Sequence, residues 1–300
     1  MKKIGFLRFC TRILVSGVIA LGVNSVSALE LFSGDFNQIL QSAPGKTVVW
    51  QYSDNPDVYI YDFNGLNNQG VTFNRATQFT EQRFGGEAYP RVLSNEDLAR
   101  HISAARRTQA NFAFGHDLLV SELVQFFNFA QRDKVKLNPE ENDLRDFLIE
   151  QGFMRMGRGF YQAVRPDVVI LSIPQIQEKK ADEPMVSPGA RYAIILHEMG
   201  HAEFYTNAHY AKFCHRFWND VLTEEQREAF RRFLKGYNYA VELEDLVVNE
   251  MQAYLMFTPD PKSFNARRLG VSDAELEQMR SAFRKAKPPT RLPLAFIEGF

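Results

Sequence analysis

Hydrophobic and polar positions alternate over short runs in the first third of the chain and fall into a helical period in the last third. From Leu29 to about Tyr89 the pattern is strand-like. Within it, the runs 47–52 and 58–63 bracket the turn-forming Ser53-Asp54-Asn55-Pro56 and predict a β-hairpin. Ser94 and Asp97 have the spacing of a helix cap ahead of a helix over 97–107, and further helices are predicted over 116–132 and 139–151, the last stopped by Gly152. The β-branched run 167–173, bounded by Pro166 and Pro174, predicts a strand, followed by a polar loop over 175–186. Ser187 as N-cap and Pro188 at the first helical position then open a helix reaching about Tyr205. Helices over 207–219, 224–234, 241–257 and 274–285 follow. No repeat or linker-like stretch divides the chain. The expected class is α+β, one domain over 29–300, with a small antiparallel sheet in the N-terminal half and a mainly helical C-terminal half.

The first residues do not belong to that pattern. Lys2, Lys3, Arg8 and Arg12 precede and flank an uncharged apolar run from Ile13 to Val23, and a short polar stretch ends in Val26-Ser27-Ala28. This order of basic, apolar and small residues predicts a signal peptide over 1–28, cleaved after Ala28. The apolar run is too short to span a bilayer, and no later stretch is long and apolar enough. A periplasmic or secreted bacterial protein without a stable membrane anchor after cleavage is therefore expected. Of 300 residues, 45% hydrophobic and 24% charged is ordinary globular composition, which excludes a disordered or low-complexity chain. Loss of the four leader cations leaves 31 basic against 36 acidic side chains, a net charge of −5 that argues against nucleic-acid or anionic-membrane partners. Only Cys214 remains beyond the leader, so no internal disulfide forms, which suits a bacterial compartment.

The chemistry is concentrated in His197-Glu198-Met199-Gly200-His201. Residues four apart on a helix face the same way, so two imidazole nitrogens can reach one ion while Glu198 sits roughly 100° round the axis, beside the metal instead of on it. Zn²⁺ takes such neutral nitrogens, keeps a position for water and lowers its pKa to roughly 7, and Glu198 is placed to accept the proton as general base. The alternative is an i, i+4 histidine pair in a core helix. Ala190, Ala193, Ile194, His197, His201 and Phe204 form one stripe, which puts both histidines on the buried face, and Gly200 leaves room beside it.

A third ligand has to come from elsewhere. The position ten residues after His197 is Asn207, and His209 falls two residues too late for a third histidine in the metzincin spacing. Glu250 is the better candidate. Its helical neighbours Leu243, Leu246, Val247, Ala253, Tyr254 and Phe257 are apolar, and a buried unpaired carboxylate is costly where a metal compensates it. The alternative is a Glu250 paired with an arginine or kept protonated. Tyr205, His209, Tyr254 and His116 are candidate donors to a developing oxyanion. His116 also reads as a plain helix N-terminal turn residue, His101 and His215 as surface or packing residues, and Cys214 as a buried apolar thiol.

The string from His197 to His201, with Asn249-Glu250 downstream, resembles the gluzincin group of zinc metallopeptidases, in which a Glu on a later helix completes the site. The resemblance covers roughly 167–257. It implies a zincin-like fold, His197, His201 and Glu250 as zinc ligands, and a strand before the active-site helix that pairs substrate at the sheet edge. The 49 positions from His201 to Glu250 exceed the separation in thermolysin-like enzymes, and the fuller strings also look like a set of exported bacterial proteins of undefined activity. Hydrolysis of a peptide or amide bond in a peptide or protein substrate is the leading expectation. A non-catalytic zinc-stabilised periplasmic binding protein and a hydrolase of cell-wall amides are the rivals.

Overall fold

The computed structural model describes residues 29–81 and 91–292; the expected signal peptide over 1–28 lies outside the described residues. In chain order the elements are β1 (Leu31–Gly34), α1 (Phe36–Gln41), β2 (Val48–Tyr52), β3 (Val58–Phe63), α2 (Leu66–Glu81), α3 (Asn95–Ala104), β4 (His116–Leu119), α4 (Val120–Arg132) and α5 (Pro139–Glu150). There follow β5 (Met154–Gly157), β6 (Phe160–Ala163), β7 (Val169–Pro174), α6 (Pro188–Thr206), α7 (Ala208–Arg216), α8 (Glu224–Lys235), α9 (Glu244–Phe257), α10 (Ala266–Leu269) and α11 (Asp273–Ala286). The fold is α+β, with helices dominating the C-terminal half. No described helix is long and apolar enough to cross a membrane.

The sheet is mixed, not purely antiparallel. Its spatial order is β1-β2-β3-β7-β4, and β5 and β6 form a separate antiparallel hairpin. The expected hairpin pairs β2 with β3 antiparallel, but α1 crosses between β1 and β2, making those two parallel, and the excursion from β3 to β7 returns parallel as well. Strand β7 is interior, so the strand preceding α6 is not the sheet edge; that place belongs to β4, antiparallel to β7. Residues 116–119 had read as the start of a helix. They join the sheet instead, and the helix opens after them, where Glu122 accepts from the Leu119 amide at 2.8 Å. Pairing with β7 overrides a helical pattern that four residues do not fix.

Both faces of the sheet are covered, which is why β3 and β7 are buried along their length. Val58, Ile60, Val169 and Leu171 face one apolar cluster with Leu196 and Met199 of α6 and Val247 and Met251 of α9. Tyr59, Tyr61 and Ile170 face the other, with Phe73, Phe126 and Phe147 from α2, α4 and α5. Helix α2 lies in what read as strand-like sequence. Its Gln69, Asn74, Arg75 and Gln78 are fully buried, so polar residues occupy positions where a periodicity argument needs apolar ones.

One ion pair fixes the start of α6 to the sheet. Asp62 of β3 receives both Arg191 terminal nitrogens, at 2.7 and 3.0 Å, with both side chains fully buried. The guanidinium also donates to the carbonyls of Ile39, Leu40 and Pro174 at 2.6, 3.1 and 2.7 Å. Asp62→Ala leaves this cation buried without its counter-charge and is expected to lower stability by about 3–5 kcal/mol. The urea midpoint measures it, and a loss under about 1 kcal/mol would contradict the anchoring role.

Candidate metal centre

Helix α6 begins as its sequence dictates. Ser187 accepts from the Ala190 amide at 3.1 Å and Pro188 occupies the first turn. The helix runs unbroken through His197 and His201 to Thr206, where Asn207 ends it and caps α7 by accepting from the Tyr210 amide at 3.1 Å. Asn207 is thus a helix junction. Helix α9 is buried on nearly every side and crosses α6 closely. Gly200 permits that approach, because a Cβ there would stand 2.7 Å from the ring of Phe257.

That packing brings Glu250 to the two histidines. His197 Nε2 and His201 Nε2 are 3.1 Å apart, and the Glu250 carboxylate oxygens lie 3.8 Å from the first and 3.7 Å from the second. Two ligand nitrogens on one tetrahedral ion stand about 3.3 Å apart, so the spacing fits a shared ion. The surrounding hydrogen bonds assign the ring protons. Thr258 Oγ1 gives its own proton to the Ala253 carbonyl at 3.0 Å, so at 2.8 Å it accepts from His197 Nδ1. Asn249 Oδ1 accepts from His201 Nδ1 at 3.0 Å and from Gln252 Nε2 at 3.1 Å, and Gln252 accepts in turn from the Tyr210 hydroxyl at 2.8 Å. Both imidazoles therefore carry hydrogen on Nδ1 and aim an Nε2 lone pair into one gap. Two facing lone pairs repel unless a proton or a metal ion lies between them. The His₂Glu donor set with oriented outer nitrogens fits a divalent metal ion.

The electrostatics point the same way. Burial, with His201 adding to it, pushes the His197 imidazole well below its usual range, so it stays neutral. Burial raises the Glu250 carboxyl to about 7 against the opposing pull of His201. Glu198 and Asp117 are held well above the carboxylate range, chiefly by burial and then by neighbouring acids, and Glu81 at the end of α2 shares that fate. Glu198 Oε2 and Glu250 Oε2 are buried without a hydrogen-bond partner among the described residues. Several carboxylates facing one another at low dielectric are stabilised by a cation, which inverts these shifts.

Glu198 stands in the wall of a cleft of about 440 Å³, together with His197 and Tyr254. The loop before β4 presses on it: a Cβ on Gly115 would fall 2.0 Å from Glu198 Oε1, so only glycine leaves the carboxylate in place. Helix α2 holds that loop. Gln69 donates to the Phe114 carbonyl at 3.0 Å and Asn74 to the Gln109 carbonyl at 2.9 Å. His116 is engaged with Ser172 at 2.6 Å and Asn74 at 3.0 Å, stacks on Phe73, and is kept neutral by burial, with its pKa lowered to about 3. It supports the wall and takes no place at the centre.

Of the other candidate donors, Tyr254 lines the cleft with its ring against His197, centroids 4.7 Å apart. Tyr205 is half-buried and donates to Asp117, and His209 is exposed on α7. His101 packs edge-on against Phe112, His215 lies 3.4 Å from Asp245, and Cys214 is a buried thiol. Sequence reasoning missed three groups. Tyr239 hydrogen-bonds the Glu250 carboxylate, Glu81 lines the cleft, and Asp117 comes within 3.8 Å of His201 Nδ1. Asp117, Glu198 and His201 form a second convergence of ligand atoms within 4.8 Å, but the Nδ1 proton on Asn249 leaves that group no nitrogen lone pair. Asp117 directly follows His116, itself a candidate from the sequence; Tyr239 and Glu81 carry no local signal.

Comparison with family models, curated proteins and solved structures returned no match for the chain. The functional reading accordingly rests on the geometry. If the outer hydrogen bonds orient the ligands, Asn249→Ala and Thr258→Val each weaken metal affinity about 10- to 100-fold while the helical circular dichroism persists. Competition with a chromophoric chelator reads the affinity, and wild-type values in both variants would contradict the orientation.

Proposed function

We propose that the chain is a zinc-dependent hydrolase of peptide or amide bonds, of the gluzincin type, acting in the periplasm or outside a bacterial cell. The convergence of two Nε2 lone pairs and the Glu250 carboxylate beside a cleft-lining Glu198 carries this reading. Zinc at that point supplies a Lewis acid and lowers the pKa of water to about 7. His197, His201 and Glu250 would hold it, and Thr258 and Asn249 keep the two rings in the tautomer that binds.

The chain's own groups divide the remaining work. Glu198, with an oxygen free of hydrogen bonds among the described residues, accepts the proton of the attacking water and passes it to the leaving nitrogen. Tyr254, whose ring packs against His197 in the cleft, is the donor best placed for the developing oxyanion. Met185, Val186, Ala190, Ala193 and Ile194 give one cleft wall an apolar surface, and Phe112 and Phe114 add aromatic faces, as a peptide substrate with its alternating polarity requires.

The enzyme and the zinc-stabilised binding scaffold differ at Glu198. Glu198→Gln is expected to keep zinc stoichiometry and melting temperature and to lose about 10² to 10⁴ in hydrolysis of a mixed-peptide digest. His197→Ala removes a ligand and leaves Glu250 uncompensated, so zinc and stability are both lost. Full hydrolysis by both variants would refute the assignment, and stoichiometric zinc without hydrolysis of any peptide would favour the scaffold.

A further inference from the structure

The cleft is divided in charge. Its inner end is acidic, with Glu81 and Glu198 in the wall and Asp117 and Glu250 behind them. The rest of its lining includes three exposed cations, Arg107, Lys262 and Arg268. None of the three forms an ion pair among the described residues. Among the described residues Arg107 reaches only the Asn111 carbonyl, at 3.5 Å, and Arg268 donates to the Tyr237 hydroxyl at 2.9 Å. Exposed arginines elsewhere are commonly matched, as Arg100 is by Asp97, Arg132 by Asp133 and Arg165 by Asp57.

Local structure aims these cations at the cleft. Arg106 adopts a left-handed conformation, φ 55°, at the end of α3, and the amides of Arg106 and Arg107 bond back to the Ser103 and Ile102 carbonyls at 2.9 and 3.1 Å. A non-glycine residue there costs about 1 kcal/mol or more, borne at the turn that delivers Arg107. Asn238 does the same after α8, φ 67°, setting Tyr237 and Tyr239 in the opposite wall. Lys262 lies in a turn that begins just after Thr258, the residue holding His197. Asp260 accepts from the Lys262 amide at 3.0 Å and the Ser263 hydroxyl at 2.9 Å, and among the described residues the lysine ammonium forms no ion pair with it.

We propose that Arg107, Lys262 and Arg268 select substrates carrying a carboxylate, so that the cleft takes acidic peptide segments. The inference rests on the peptide-hydrolase reading and names its substrate class. Unpaired cations on low-dielectric walls concentrate anions, and guanidinium forks bind carboxylates in two parallel hydrogen bonds. Because the chain as a whole is net acidic, this preference belongs to the cleft and not to the general surface. The carboxylate comes from Asp or Glu side chains or from a free peptide C-terminus; the chemistry is shared.

Four fluorescent peptides separate the sources: an acidic one with an amidated end, a neutral one with a free C-terminus, a neutral amidated one and a basic amidated one. Anisotropy titration on full-length zinc-loaded Glu198→Gln protein reads binding, and the wild type reads cleavage of the same set. Carboxylate-bearing peptides are expected to bind about 10-fold tighter than the neutral amidated one at low salt, with the advantage shrinking as salt screens it. Combining Arg107→Ala, Lys262→Ala and Arg268→Ala should erase the advantage with zinc content and melting temperature retained. Lys262→Glu with Arg268→Glu should reverse it toward the basic peptide, a gain that misfolding cannot produce. Equal binding of all four, no binding of any, or a preference that survives the triple substitution overturns the inference. Cleavage of all four at equal rates refutes the selectivity and leaves the hydrolase standing, whereas acidic preference in binding without cleavage by the wild type leaves the selectivity standing and refutes the hydrolase.

Discussion

Two imidazole lone pairs pointed at each other across 3.1 Å are the constraint around which the molecule is organised. With neither a proton nor a metal ion between them they repel, and each ring would gain by turning its Nε2 elsewhere. Neither turns, because Thr258 and Asn249, both from α9 or its C-terminal end, hold the opposite ring edges. The arrangement persists only while α6 and α9 stay in close contact. Gly200 beneath Phe257 allows that contact, and Asp62 against Arg191 fixes where α6 starts relative to the sheet. Much of the C-terminal helical half serves to keep α9 in place, and α9 carries Glu250, the Asn249 amide that meets His201 and the link to Tyr210 through Gln252.

The same crowding makes the site expensive without a cation. Glu250, Glu198 and Asp117 are buried together, with Glu81 at the cleft, and each is driven toward its neutral form, first by lost hydration. A fold selected for stability alone would not gather them. Their convergence on two imidazoles is intelligible as a device for holding positive charge, with the Glu198 carboxylate beside it.

What the sequence made legible, and what it did not, follows from the range of each signal. Ser187, Pro188 and the spacing of His197 and His201 act within one helix, so that element and its two nitrogens were readable. Glu250 was readable because an acid amid Leu246, Val247, Ala253 and Tyr254 violates a periodic pattern locally. Asn249 and Thr258 sit beside such positions, yet their roles depend on which ring edge of α6 they meet. Tyr239 and Glu81 reach the centre through turns and helix ends that only the folded chain positions. Helix α2 escaped because its buried face is polar, hydrogen-bonded to the loop ahead of β4. Strand β4 was hidden in a helical pattern that its pairing with β7 overrides.

The central claim concerns where an ion sits, and two clusters compete for it. Crystals of the protein grown with stoichiometric zinc and measured across the zinc absorption edge locate the ion by its anomalous signal. The account predicts one ion, about 2.0–2.2 Å from His197 Nε2, His201 Nε2 and a Glu250 carboxylate oxygen, with both Glu198 oxygens outside bonding distance. An ion held instead by Asp117, Glu198 and His201 Nδ1, or no ion at either cluster, would contradict it.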